Sequence, residues 1–149
     1  MKLLPGFRFE ERMSGHYHLL TGPPEDRPLE FTMTARAPSL PRFLRKPVAQ
    51  IEGEADLRGF ADHKPARGTM LLDLLAGRRI GYDFEFPGND GHTYRFKGQK
   101  DVELGRLRET MSTLPAGLFD GSGARIGEAT VHFHYSTDLV RFLRSWRLA

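Results

Sequence analysis

Apolar and polar positions alternate with period two along most of this chain. The clearest stretch is residues 80–100, where Ile80, Tyr82, Phe84 and Phe86 alternate with Gly81, Asp83 and Glu85, and Tyr94 and Phe96 alternate with Arg95 and Lys97. Successive strand side chains point to opposite faces, so the pattern predicts two half-buried strands. The turn-forming run from Pro87 to Gly91 between them predicts a hairpin, with Asp83 and Glu85 sharing its outer face with Arg95 and Lys97. One aromatic face on an isolated hairpin needs more sheet to bury it.

The same period recurs on either side. Residues 7–20 place Phe7, Phe9, Glu11, Met13, Gly15, Tyr17 and Leu19 on one face, with His16 and His18 on the other. Residues 29–37 and 48–60 read as further strands, with Gly53 and Gly59 on an inward face. Ser39 between them is placed to cap a short helix carrying Leu40, Phe43 and Leu44. Residues 61–65 read as a loop before a strand over 67–75. A strand is expected over 107–119, broken at Pro115-Ala116-Gly117, and another over 125–135, the two joined by the Asp120-Gly121-Ser122-Gly123 turn. Leu139, Phe142, Leu143 and Trp146 then follow helical spacing. About eight strands with short turns, apolar inward and polar outward, predict an antiparallel up-and-down β-barrel of the lipocalin-like kind. A two-sheet sandwich is the alternative.

Composition narrows the function classes. A length of 149 residues fits a single domain over 1–149. Without cysteine there is no disulfide framework or thiol chemistry, which fits a reducing cytoplasm. The first twelve residues lack the apolar core of a signal peptide, and the run over 70–76, interrupted by Asp73, is too short to span a bilayer; no leader or transmembrane segment is expected. A net charge of +3 is too small to argue for nucleic acid. The aromatics also share the inward parity rather than facing out between basic residues, so no nucleic-acid partner is expected.

Several segments carry a family resemblance. Phe9-Glu10-Glu11-Arg12-Met13-Ser14-Gly15 resembles the F-x-E-x-M-x-G opening of a β-rich domain found in some large bacterial proteins. Those proteins contain glucose–methanol–choline oxidoreductases of the cholesterol-oxidase type, sometimes with an α/β-hydrolase part. The similarity extends through Leu40-Pro41-Arg42-Phe43-Leu44, Gly53, Pro65-Ala66-Arg67-Gly68 and the run from Tyr94 to Val102, then Thr110 to Leu114 and Asp138 to Leu143. It implies an accessory domain near the oxidation or hydrolysis of sterol-like and lipid-like substrates, with an oxidoreductase or hydrolase as partner. No glycine fingerprint for a flavin follows a strand here, so no cofactor is expected.

Two inward polar residues stand out. Glu11 shares a face with Phe9 and Met13, and Lys100 shares one with Tyr94, Phe96 and Gly98. A buried carboxylate is costly unless paired or hydrogen-bonded. Glu11 and Lys100 therefore read either as polar contacts for a ligand's head or as a structural pair near the rim. The expected ligand-binding set is Glu11, Lys100, Phe9, Met13, Tyr17, Phe84, Phe96 and Phe133, around a lipid, sterol or fatty acid held without catalysis. The enzyme alternative is an isomerase, cyclase or lyase with Glu11 as general base and Tyr17 as acid. A third class is an interaction module, docking a partner protein or a second copy of itself. His16, His18, His132 and His134 have strand spacing that suits zinc, but their outward parity favours solvated histidines, and no metal is expected. Arg42, Arg45 and Lys46, with Arg141, Arg144 and Arg147, read as the wet sides of two helices. No serine sits in a nucleophile elbow.

Overall fold

The structure, a computed structural model, describes residues 5–22, 25–73, 77–106 and 113–134. Eight antiparallel strands form one closed barrel in sequence order: β1 (Pro5–Leu19), β2 (Arg27–Ser39), β3 (Val48–Leu57), β4 (Ala61–Asp73), β5 (Arg79–Pro87), β6 (Thr93–Asp101), β7 (Thr113–Phe119) and β8 (Arg125–His134). The first strand closes the barrel on the last, with Met13 opposite Phe133 and Leu19 opposite Gly127. This is the expected up-and-down barrel. Among the described residues its helical content is α1 (Leu40–Arg45) and a single 3-10 turn, Leu104–Arg106.

The register fixes the barrel's geometry. Starting at Phe9, paired positions run through Ala35, Ile51, Gly68, Phe84, Phe96, Leu118 and Gly127, and return to β1 at Leu19, ten residues farther on. A stagger of ten over eight strands tilts them about 40° and leaves an interior that side chains can fill or that holds one small ligand. Every side chain described on this circuit faces inward. The adjacent circuit, Arg8, Arg36, Gln50, Thr69, Asp83, Lys97, Gly117 and Glu128 to His18, runs along the outer face.

Mid-barrel, three rings pack against one another. Phe31 meets Phe84 and Phe96 edge-on at centroid distances of 4.7 and 4.9 Å, and Phe84 stacks on Phe96 at 4.8 Å. All three are fully buried. Gly68 makes room for them: a Cβ there would lie 2.0 Å from the Asp83 carbonyl oxygen and 2.7 Å from the Phe84 Cβ.

Each end has its own closure. At the turn end, where β1, β3, β5 and β7 finish, Phe60 packs on Tyr94 at 4.6 Å and on Tyr17 and Phe86 beyond 6 Å. A polar clasp holds Phe60 there. The Asp62 amide donates to Asn89 Oδ1 at 3.0 Å, Asn89 Nδ2 donates to Asp62 Oδ2 at 2.7 Å, and the Asn89 amide donates to the Phe60 carbonyl. At the helix end, Ser39 Oγ accepts from the Arg42 amide and starts α1, which buries Phe43 and leaves Arg42, Arg45 and Lys46 in solvent.

The structure redraws several element boundaries. β4 begins at Ala61, so residues 61–65 are strand; Pro65 pairs with Glu54 on β3 and is accommodated because the β4–β5 ladder begins only at Arg67, so no bond to β5 needs its missing amide hydrogen. Gly59 belongs to the β3–β4 turn with φ +82°, a conformation glycine adopts freely, and not to an inward strand face. β7 passes unbroken through Pro115-Ala116-Gly117. The helix expected over residues 139–147, with Arg141, Arg144 and Arg147, and the start of the strand expected from 107 lie outside the described residues. On the hairpin, Arg95 alone takes up both acidic partners, Asp83 at 3.1 Å and Glu85 at 3.0 Å.

Candidate functional site

Strands β1 and β5 face each other across the barrel, four strands apart in either direction. Parity turns Glu11 inward from the first and Tyr82 inward from the second, and the Tyr82 hydroxyl donates a hydrogen bond to the Glu11 carboxylate. The stagger shifts equal heights by a little over one residue per strand, which brings these positions level. Glu11 is the one charged side chain in the buried core of the described residues. Loss of hydration raises its carboxyl from 4.5 to about 7, a shift partly offset by the Tyr82 hydrogen bond.

Lys100 stands at nearly the same height on β6 but takes a different partner. Its ammonium donates to the Thr113 carbonyl on β7 at 2.9 Å, so the acid is met by a tyrosine and the base by backbone. This bond crosses an incomplete part of the wall. β6 and β7 pair at Arg95, Phe96 and Lys97 only, and the continuation past Gly98 opposite Ala116 has no ladder. On the outside, a groove of about 1040 Å³ overlies this region; its lining includes outward Lys97, Gln99 and Pro115 and inward Tyr82, Gly98 and Ala116.

The remaining expected contacts divide between three levels. Phe84 and Phe96 belong to the ring triad, and Met13 is buried beside Phe31 through the β1–β2 register. Phe9 lies on the helix-end side of Glu11. Tyr17 does not join Glu11: it lies six residues along β1, roughly 20 Å away, and its hydroxyl donates to the Arg58 carbonyl at the turn end. Tyr82 holds the position beside the acid that the enzyme alternative gave to Tyr17. The Phe133 side chain lies outside the described atoms, although its backbone pairs with Met13.

His16, His18 and His132 face outward, as their parity requires. His18 contacts Asp26 at 3.3 Å and Glu128 at 3.5 Å, and His132 Nδ1 lies 3.2 Å from Thr113 Oγ1. His16 is exposed, and the His134 side chain is outside the described atoms. Among the described residues, no three potential ligands gather as a metal site, and no helix is long and apolar enough to cross a membrane.

Tyr82 is the residue missed by pattern reading. Its signal was present: an inward tyrosine among inward phenylalanines carries a hydroxyl that needs a buried partner. No protein-family model, curated protein or solved structure matches this chain.

Proposed function

We propose that this barrel is a non-catalytic carrier or accessory domain for an apolar small molecule: a lipid, sterol or fatty acid. The observation that supports this reading is one ionisable carboxyl in the buried core of the described residues, hydrogen-bonded to Tyr82. Such a pair marks the place where a ligand's polar head is recognised while its body rests on hydrocarbon. The ring triad occupies the middle of the barrel, so the ligand belongs on the helix-end side of it, with its head at Glu11 and Tyr82. A reducing cytoplasm suits a chain without cysteine. The resemblance to accessory domains of oxidoreductase and hydrolase proteins supports a partner that makes or consumes the ligand.

Native mass spectrometry of protein purified from cells, followed by a lipid-binding screen, tests this reading. A bound mass, or saturable binding weakened by Glu11→Gln, is the expected outcome. A protein that carries nothing and binds nothing overturns it.

One observation favours a second reading. A carboxyl held near 7 beside a tyrosine is matched to moving protons at neutral pH, as an isomerase, cyclase or lyase requires. Glu11→Gln separates the two readings. A carrier loses affinity, whereas an enzyme keeps binding and loses turnover.

A further inference from the structure

The barrel wall is uneven. Seven of its eight seams carry at least seven paired positions, while β6 and β7 share three and then run side by side without a ladder. Unpaired strand backbone is the usual place for local opening, because fewer hydrogen bonds must break at once. Here one side-chain bond, Lys100 Nζ to the Thr113 carbonyl, stands in for the missing ladder. Pro115 contributes no backbone donor to rebuild it.

The opening also leads somewhere. Gly98 pairs with Tyr82 on β5, and the outer groove is lined by both. No side chain at 98 stands between the groove and Tyr82. The packing is close: a Cβ on Gly98 would lie 2.7 Å from the Pro115 carbonyl oxygen and 2.8 Å from the Ala116 Cβ. The two strands therefore touch there without being tied. At the inner margin, the half-buried Lys100 ammonium holds one described hydrogen bond and has two further donors.

From this geometry we infer that the β6–β7 seam is the route by which ligand reaches Glu11 and Tyr82, and that Lys100, its latch, receives a carboxylate head. The inference rests on the carrier reading and narrows its ligand to an apolar acid. Binding exchanges the neutral Thr113 carbonyl for the ligand's carboxylate on Lys100, a bond between two charged groups that is stronger than the one it replaces. The latch is thus released by the molecule it admits.

The experiment has three arms on the intact chain. Hydrogen exchange reads the seam without any ligand. Amides of Gln99, Asp101 and Thr113, which point across the seam, are expected to exchange at least 100-fold faster than those of paired β2 and β3, and equal protection overturns the seam. Gln99→Cys with Pro115→Cys then closes the outer side by a disulfide or, if none forms, a short bis-maleimide bridge; the chain has no other cysteine. Closure is expected to slow uptake of a fluorescent polyene fatty acid at least tenfold, and an unchanged rate overturns the route. Lys100→Met is expected to weaken that acid at least tenfold while sparing the corresponding alcohol; equal effects on both overturn the carboxylate assignment. If the unaltered protein binds neither probe, the carrier reading fails with the route, whereas a closed seam in a protein that binds both removes the route alone.

Discussion

The Tyr82 hydroxyl on β5 donates to the Glu11 carboxylate on β1 across the width of the barrel, and Glu11 is the one charged side chain in the buried core of the described residues. Neither strand touches the other along the sheet. The contact exists because the barrel closes.

Glu11 makes stability depend on pH. Burial raises its carboxyl from 4.5 to about 7, so the folded state holds the proton more tightly than the unfolded state. Its contribution is complete below the unfolded value and is lost as pH rises through about 7. Glu11→Gln mimics the neutral form. Relative to the parent protein, the variant is expected to gain about 3 kcal/mol between pH 4.5 and pH 8. Urea unfolding at the two pH values measures this, and a pH-independent difference refutes it.

Removing the tyrosine hydroxyl tests the pair from the other side. The Tyr82 bond is the influence that lowers the Glu11 value, so Tyr82→Phe is expected to push the carboxyl higher still. A stability loss of about 1–3 kcal/mol at pH 8 should accompany it, since the ionised acid then lacks its donor. Carbon-13 NMR of the Glu11 carboxyl reports the midpoint; an unmoved midpoint means that the hydroxyl does not act on the acid.

The ring triad is the packing centre. Phe84→Ala is expected to cost about 3–5 kcal/mol, because three mutually packed rings cannot close over the space left. Phe60→Ala, in a half-buried turn, should cost clearly less. Calorimetric or denaturant unfolding ranks the two, and equal losses would place the core elsewhere.

The turn-end clasp has a titration signature. Hydrogen bonds from Asn89 and the Gly59 amide hold the Asp62 carboxyl below its usual value. A depressed acid stabilises the fold above its unfolded value, and that contribution disappears as pH falls through the folded one. Asn89→Ala is expected to move the Asp62 midpoint back upward. It should also lower the melting temperature more at pH 7 than at pH 3. An Asp62 midpoint unaffected by the substitution rules out the clasp as its cause.

Much of this was readable along the chain. Alternation located all eight strands, and parity alone turned Glu11, Lys100, Phe84 and Phe96 inward and the histidines outward. A strand has only two faces, so local order suffices for that decision. Proline and glycine misled at the margins. Pro65 suggests a loop and Pro115 a break, yet each lies within a continuous strand, and Gly59 continues a strand pattern where its backbone makes a turn.

The sequence by itself determined the strands, their inward and outward residues, and the presence of a lone inward acid, while closure into a barrel rather than a sandwich was decided by the β1–β8 pairing. Only the tertiary structure decided what that acid meets. Strand-to-strand register accumulates around the closed sheet, and its total, ten residues from Phe9 to Leu19, sets which inward side chains stand level. That sum brings Glu11 to Tyr82 and leaves Lys100 to Thr113, a pairing no single strand or hairpin encodes.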